Sequence, residues 1–465
     1  MTDPPGVGAR LVLDGCTVVT MDAGRTEHEV GHVVIDGARI TSVGQGRYAP
    51  AGDAVPARSV DASGCVATPG LVNTHHHLYQ WATRGLAVDS TLFGWLTELY
   101  PVWAGLDEEI VAAAAAAGLG WLARTGCTTS MDHHYVFPAD GGDVLSAEVE
   151  AAGRIGLRFL ATRGSMDLGQ SRGGLPPDSV VEDLDAILAA TAKAVDQYHD
   201  ASPDSMLRIG VAPCSPFSVT TDLLRETALL ARDRGVRLHT HLAETLDEQD
   251  FCEQRFGLTP LEYLESVGWL GSDVWLAHGI HFTDDAVAML ARSGTGVAHC
   301  PSSNARLGAG VARTRDLRDA GVPVGLGVDG AASNEASSLV EEARHALLFA
   351  RARGGPQALG VRDALELATI GGARVLGWDD QIGSLEAGKL ADIALWRLDT
   401  LAHAGIADPV AGLVLADRPP LELLLVGGQV VVEKDRLTTA DENSLKEDAV
   451  AAGNRLLRRA DPRFT

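Results

Sequence analysis

No apolar run in this chain approaches the roughly 20 residues that a bilayer-spanning helix requires, so the sequence offers no membrane segment. Cations are scarce. Lys+Arg number 38 against 62 Asp+Glu, a formal charge of -24. Nucleic acid and anionic membrane surfaces both need clustered positive charge, so neither is expected as a partner, and the excess of acid reads as a device for solubility. The six cysteines show neither a CxxC pair nor a disulfide-framework spacing. The opening MTDPPGVGAR lacks the basic, apolar, small-residue order of a secretory leader. Together these absences point to a reducing cytoplasm. Solenoid repeats, long low-complexity tracts and flexible linkers are also missing.

What remains is a globular composition, 46% hydrophobic and 22% charged over 465 residues, enough for one large domain or two. Residues 9–68 read as short strands with tight turns, including an alternating run broken at Asp36-Gly37. From about residue 65 apolar strands alternate with helical patterns. Eight strands can be counted, at 65–75, 127–133, 158–164, 208–214, 237–244, 274–281, 296–301 and 324–330. Eight is the closing number of a (β/α)8 barrel. Helices are expected at 108–124, 221–235 and 362–377, and β texture returns at 382–399 and 421–433. The expected architecture is an α/β, TIM-type barrel over 69–378. A small β-sandwich is expected beside it, built from both chain ends, 1–68 and 379–465, the latter including a tail.

The 15 histidines are concentrated in short clusters at strand ends. His75 and His77, at i and i+2, share one face of an extended chain. His241 ends the fifth strand, His278 the sixth, and Asp329 the eighth. All sit at carboxyl ends of barrel strands, where active sites of such barrels are built. Imidazole and carboxylate ligands suit a borderline divalent metal with a position open for water. His75, His77, His241 and Asp329 supply that set. A lone buried histidine is usually a satisfied core side chain, but four matching residues on the correct strand ends outweigh that reading. Alternation turns His76 and His239 away from the ligand face, toward supporting or packing roles.

The motifs PGLVNTHHH (69–77), HTHLAE (239–244), LAHG (276–279) and GVDG (327–330) resemble the amidohydrolase superfamily, specifically its mononuclear-metal deaminases, over essentially the whole chain. GSLEAGKLADIALW (383–396) resembles that family's C-terminal signature. The fourth strand ends in Cys214 rather than lysine, which speaks against the two-metal, carbamylated-lysine version. Longer segments, TRGSMDLGQSRGGLPP (162–177), APCSPFSV (212–219), HLAETLDEQDFCEQRFG (241–257) and HCPSSNARL (299–307), resemble the 8-oxoguanine deaminase group. Triazine hydrolases share the fold, and the acid at position 329 favours deamination over dechlorination.

The resemblance implies one divalent ion, zinc by default with iron or manganese tolerated, and a homo-oligomer acting on a small heterocycle. It implies that Glu244 protonates the ring nitrogen beside the amino-bearing carbon, that Asp329 accepts and returns a proton, and that His278 stabilises the attacking hydroxide and the oxyanion. Gln80 offers a donor and an acceptor to a purine edge, or simply opens a helix. His133 binds a substrate carbonyl or makes a structural hydrogen bond; Cys214 meets the imidazolone part of an oxidised purine or fills space; Asn304 is a fourth substrate-binding candidate. Phe93, Trp95, Tyr100 and Trp103 lie in an insert, 90–106, that reads either as a cover over the site or as a subunit interface. Guanine, isoxanthopterin and amino-triazines are alternative substrates, and a non-catalytic scaffold is the rival of another class. The intact set of metal and proton-transfer residues speaks against the scaffold.

Overall fold

The computed structural model describes residues 10–50 and 57–461. The N-terminal segment, in which the sequence shows no leader pattern, lies outside the described residues. Eight parallel strands close a barrel: β1 Leu71–Asn73, β2 Cys127–His134, β3 Arg158–Ser165, β4 Leu207–Pro213, β5 Leu238–Leu242, β6 Val274–His278, β7 Gly296–His299 and β8 Val324–Leu326. Closure is made where Leu326 pairs with Asn73. All eight residues of β2 and of β3 are buried, as expected for parallel strands covered on both faces.

The crossover helices follow from their sequence. Glu108–Arg124 is capped by Asp107, which accepts from the Ile110 amide, and it runs through the alanines at 114–117, the best helix formers. Thr221–Arg234 is capped by Thr220 and stops at Gly235, whose φ of 66° is the left-handed C-cap glycine favours. The helical pattern at 362–377 forms as one helical stretch, Val361–Leu376, with a π-turn at Leu367–Gly371. Gly371 and Gly372 have a steric reason to be there. A Cβ on Gly371 would lie 2.5 Å from the Val324 carbonyl oxygen, and one on Gly372 would lie 2.7 Å from that of Val72. Glycine lets the helix rest directly on β1 and β8.

Both chain ends build one nine-stranded sheet. Its centre is the antiparallel pairing of Cys65–Pro69 with Ile393–Arg397. The strand expected at 65–75 is therefore two strands. Cys65–Pro69 belongs to the sheet, and after Gly70 the chain enters the barrel as β1. Alternation along Ile393–Arg397 separates two cores: Ile393 and Leu395 face the sheet's own apolar cluster, while Ala394 and Trp396 join the barrel's. Trp396 lies against Gly126, where a Cβ would come within 2.1 Å of the indole. At the same seam the fully buried Arg158 clasps Asp392 through Nε at 3.1 Å and Nη2 at 3.0 Å, and Asp392 also accepts the Gly427 amide at 2.7 Å. The C-terminal segment, expected as a tail, forms the helix Glu442–Ala460, capped by Asp441 and buried at Leu445, Ala452 and Leu456. Among the described residues no helix is long and apolar enough to cross a membrane. All six cysteines are buried and unpaired.

Candidate metal centre and active site

Just beyond the barrel mouth, His76–His77 and Asp329–Gly330 pair as a two-residue parallel ladder, which brings the acid of strand 8 to the histidines of strand 1. Ala243, His278 and Asp329 have φ values of 53°, 73° and 61°. Left-handed backbone at three non-glycine residues is strained, and it falls at the ends of β5, β6 and β8, where it aims side chains into the mouth.

His75, His77, His241 and Asp329 converge as the sequence suggests. Asp329 Oδ1 lies 3.3 Å from Nε2 of both His75 and His77, and the Nε2 atoms of His77 and His241 are 3.1 Å apart. The partners of the opposite ring nitrogens decide what these contacts are. His77 Nδ1 meets the His133 carbonyl at 2.7 Å and His241 Nδ1 meets the Cys214 carbonyl at 2.6 Å. A carbonyl only accepts, so both Nδ1 atoms carry a proton, and in the neutral rings both Nε2 atoms are bare lone pairs. Two lone pairs 3.1 Å apart beside a carboxylate repel unless a cation lies between them. Burial lowers the pKa of His75 to about 3, so the ring is neutral and able to ligate. The donor set of nitrogens and a carboxylate oxygen fits one divalent metal ion. Asp329 is fixed by Ser303 Oγ at 2.6 Å, with Ser333 Oγ at 3.4 Å, and by the Gly330 amide at 2.7 Å.

Glu244 stands beside this cluster, 4% exposed. Burial, and then the negative charges of Asp329 and Glu248, push its carboxyl well above the usual range, which favours the protonated form. Its Oε2 faces His278 Nε2 at 3.5 Å. His278 donates from Nδ1 to Asn304 Oδ1 at 2.9 Å, which leaves Nε2 as an acceptor. Burial lowers the pKa of this imidazole as well. Glu248 accepts the amides of Ala243 at 3.0 Å and Glu244 at 3.2 Å, holding the strained turn that carries Glu244.

A cavity opens on these groups. Gln80 lines it with both amide atoms buried and unpartnered, and Tyr100 lines it with an unpartnered hydroxyl. Gly330 makes room for Gln80, since a Cβ there would sit 1.8 Å from Oε1. Cys214 also lines the cavity, its thiol pushed up to about 12 by burial and therefore neutral. Leu92, Trp95, Leu96 and Tyr100 of the helix Leu92–Trp103 form one wall, so the aromatic insert covers the site.

Two expected substrate contacts lie elsewhere. His133 does not line the cavity: its Nε2 donates to the Ala212 carbonyl at 2.9 Å and its ring stacks on His241. The structural hydrogen bond is the reading the geometry supports. Asn304 is also off the cavity wall, and its carbonyl orients His278 instead. Sequence reasoning passed over Glu248, Ser303, Ser333 and the Tyr100 hydroxyl. The only signal for Glu248 was an acid one turn into the helix after β5.

A second buried cluster, Asp132, His134 and Glu148, stands behind β2. His134 Nε2 donates to the Val136 carbonyl and Nδ1 faces Glu148 Oε1, both at 2.7 Å. Burial raises the Glu148 pKa to about 8, so its own proton completes the bond and no metal is called for.

Imidazole nitrogens and a carboxylate converging at the mouth of a (β/α)8 barrel, beside a buried acid whose pKa is raised, define a metal-dependent hydrolase. The chain belongs to the amidohydrolase family, whose model matches residues 66–431. It is 48% identical over 401 residues to the 8-oxoguanine deaminase of Pseudomonas aeruginosa, covering 86% of this chain and 88% of that relative. It is 41% identical over 424 residues to an isoxanthopterin deaminase from an unknown prokaryotic organism, covering 86% and 87%. Among solved structures, the atrazine chlorohydrolase of Arthrobacter aurescens complexed with zinc superposes with a TM-score of 0.91 at 35% identity, covering 95% of this chain and all of that one. The chain is thus a hydrolytic deaminase of the amidohydrolase type.

Proposed function

We propose that this protein is a zinc-dependent 8-oxoguanine deaminase that converts its substrate and water to urate and ammonia, working in the cytoplasm. The observation that carries the reading is the convergence of three imidazoles, Asp329 and the buried Glu244 at the barrel mouth, in a chain 48% identical to an 8-oxoguanine deaminase. His75, His77, His241 and Asp329 hold the ion. A bound divalent metal lowers the pKa of its water from 15.7 to about 7, which supplies a nucleophile at neutral pH.

The protein's own groups do the rest. Attack at C2 forms a C–O bond and pushes electrons onto the neighbouring ring nitrogen, where Glu244 delivers its proton. Asp329 takes one proton from the attacking water and passes it to the amino group; as the C–N bond breaks with loss of neutral ammonia, the remaining hydroxyl proton returns to Glu244 and the C2 carbonyl forms. His278, bare at Nε2, accepts a hydrogen bond from the attacking water; it donates to the oxyanion only once it has itself gained a proton. Gln80 and Tyr100, unpartnered in the cavity, match a ring whose edge alternates carbonyls and N–H groups. Cys214 packs against the same ring as a neutral thiol. Six unpaired buried thiols accord with a reducing compartment.

The test is ammonia release from zinc-loaded protein with 8-oxoguanine, guanine, isoxanthopterin and a hydroxylated triazine, with urate followed by its ultraviolet absorbance. Turnover led by 8-oxoguanine with stoichiometric urate is expected. Turnover led by another ring would keep the chemistry and overturn the substrate. Metal-loaded protein that releases ammonia from none of them would overturn both.

A further inference from the structure

We infer that His239 is the positioning residue that commits His75 to metal ligation, by accepting the His75 Nδ1 proton and so holding a bare Nε2 toward His77, His241 and Asp329. The inference rests on the metal reading above and goes beyond it. His77 and His241 each lean on a backbone carbonyl, which no substitution removes. His75 leans on a side chain instead: its Nδ1 lies 2.8 Å from His239 Nε2.

Either nitrogen of that contact could carry the proton if the pair stood alone, and the third member removes the ambiguity. His239 Nδ1 lies 2.9 Å from the Trp275 carbonyl. That oxygen only accepts, so the proton of a neutral His239 ring is on Nδ1 and its Nε2 is a lone pair. His75 must then donate from Nδ1, and its own lone pair is left at Nε2.

The relay is held in place from both sides. The His239 ring stacks on the Trp275 indole, with centroids 4.4 Å apart and planes at 18°. Trp275 Nε1 in turn donates to the Thr74 carbonyl at 3.0 Å, directly before His75 in the chain. One closed circuit therefore fixes both the backbone and the ring of this ligand. Without the acceptor at His239, the favourable course for His75 is to move its proton to Nε2, where Asp329 Oδ1 at 3.3 Å can receive it. That tautomer presents no lone pair to a metal. Loss of such a supporting partner typically weakens metal binding about 10–100-fold.

The experiment measures zinc affinity of the full chain by competition with a chromophoric chelator, for wild type, His239→Phe and His239→Gln. Phenylalanine keeps the stacking on Trp275 and removes both nitrogens; glutamine restores an acceptor near the Nε2 position. His239→Phe is expected to bind zinc about 10–100-fold more weakly, with the melting temperature of the metal-free protein unchanged, and His239→Gln to recover part of the loss. Zinc binding by His239→Phe within twofold of wild type overturns this inference alone, whereas wild type that takes up no zinc overturns the metal reading and this inference with it. Should the phenylalanine variant misfold, long-range 15N–1H NMR of metal-free wild type decides the matter. An Nδ1–H tautomer at His75 supports the relay and an Nε2–H tautomer overturns it.

Discussion

Two buried polar clusters, one at each end of the barrel, are satisfied to opposite degrees. At the amino ends of the strands, Arg158 and Asp392 satisfy each other bidentately, with the Gly427 amide on one oxygen and the Ser205 carbonyl accepting from the guanidinium. At the carboxyl ends, His75 Nε2, both amide atoms of Gln80 and the Tyr100 hydroxyl are buried without partners, and the Nε2 atoms of His77 and His241 face each other without a proton. Unsatisfied buried polar groups cost about 1–3 kcal/mol each. The contrast teaches that one end uses polarity to join sheet and barrel, while the other carries a cost that only a metal ion and a substrate remove.

Substitutions at the two ends should therefore separate activity from stability. The largest effect is expected from Glu244→Gln, which removes the proton donor: kcat falls about 10²–10⁴-fold while bound metal and melting temperature stay near wild type. Near wild-type kcat would remove Glu244 from the mechanism. The same group sets the pH profile. Glu244 must keep its proton, so kcat/KM falls on the basic side as pH rises through a pKa well above the ordinary 4.5. His278 must stay neutral to accept, so the acid limb falls as pH drops through a value below 6.5.

Next is Arg158→Met at the opposite end. It leaves Asp392 buried without its cation, and a loss of about 3–5 kcal/mol in denaturant unfolding is expected, with kcat/KM preserved at temperatures where the variant is folded. A variant as stable as wild type would show that the seam is held by packing alone. Gln80→Leu should do the reverse on a smaller scale. Two unpartnered atoms disappear, so stability holds or rises, while kcat/KM for 8-oxoguanine falls about 10–100-fold through the loss of two hydrogen bonds.

Last comes Glu148, a group that carries its own proton. Its folded pKa of about 8 lies above the ordinary 4.5, so its contribution to stability is fully present below pH 4.5 and is lost as pH rises toward 8. Glu148→Gln mimics the protonated form, its amide donating to His134 Nδ1. Melting temperatures measured from pH 5 to 9 should fall for wild type more steeply than for this variant, and parallel curves would contradict the assignment.

Much of the catalytic end was legible in the sequence because it depends on short-range rules. Alternation puts His75 and His77 on one face, and strand ends locate His241, His278 and Asp329. What was not legible depends on contacts across the barrel. The partnership of His75 with His239 joins residues 164 apart in the chain. Asn304 and His133 carry suitable chemistry at suitable places, yet the helix Pro301–Arg306 turns the Asn304 carbonyl to His278 and β2 turns His133 Nε2 to the Ala212 carbonyl. The split of the strand at Gly70 turns on pairing with Ile393–Arg397, more than 300 residues on. The helix Glu442–Ala460 escaped notice because few of its side chains, Leu445, Ala452 and Leu456, are buried.

If the imidazole nitrogens at the barrel mouth serve a single catalytic metal ion, activity must follow the occupancy of that one site. The most direct test titrates metal-stripped protein with zinc while following ammonia release from 8-oxoguanine. The expected result is no turnover without metal, a linear rise, and saturation at one ion per chain, with the response abolished in His77→Ala. Turnover in the metal-free protein, or a requirement for a second ion, would contradict it.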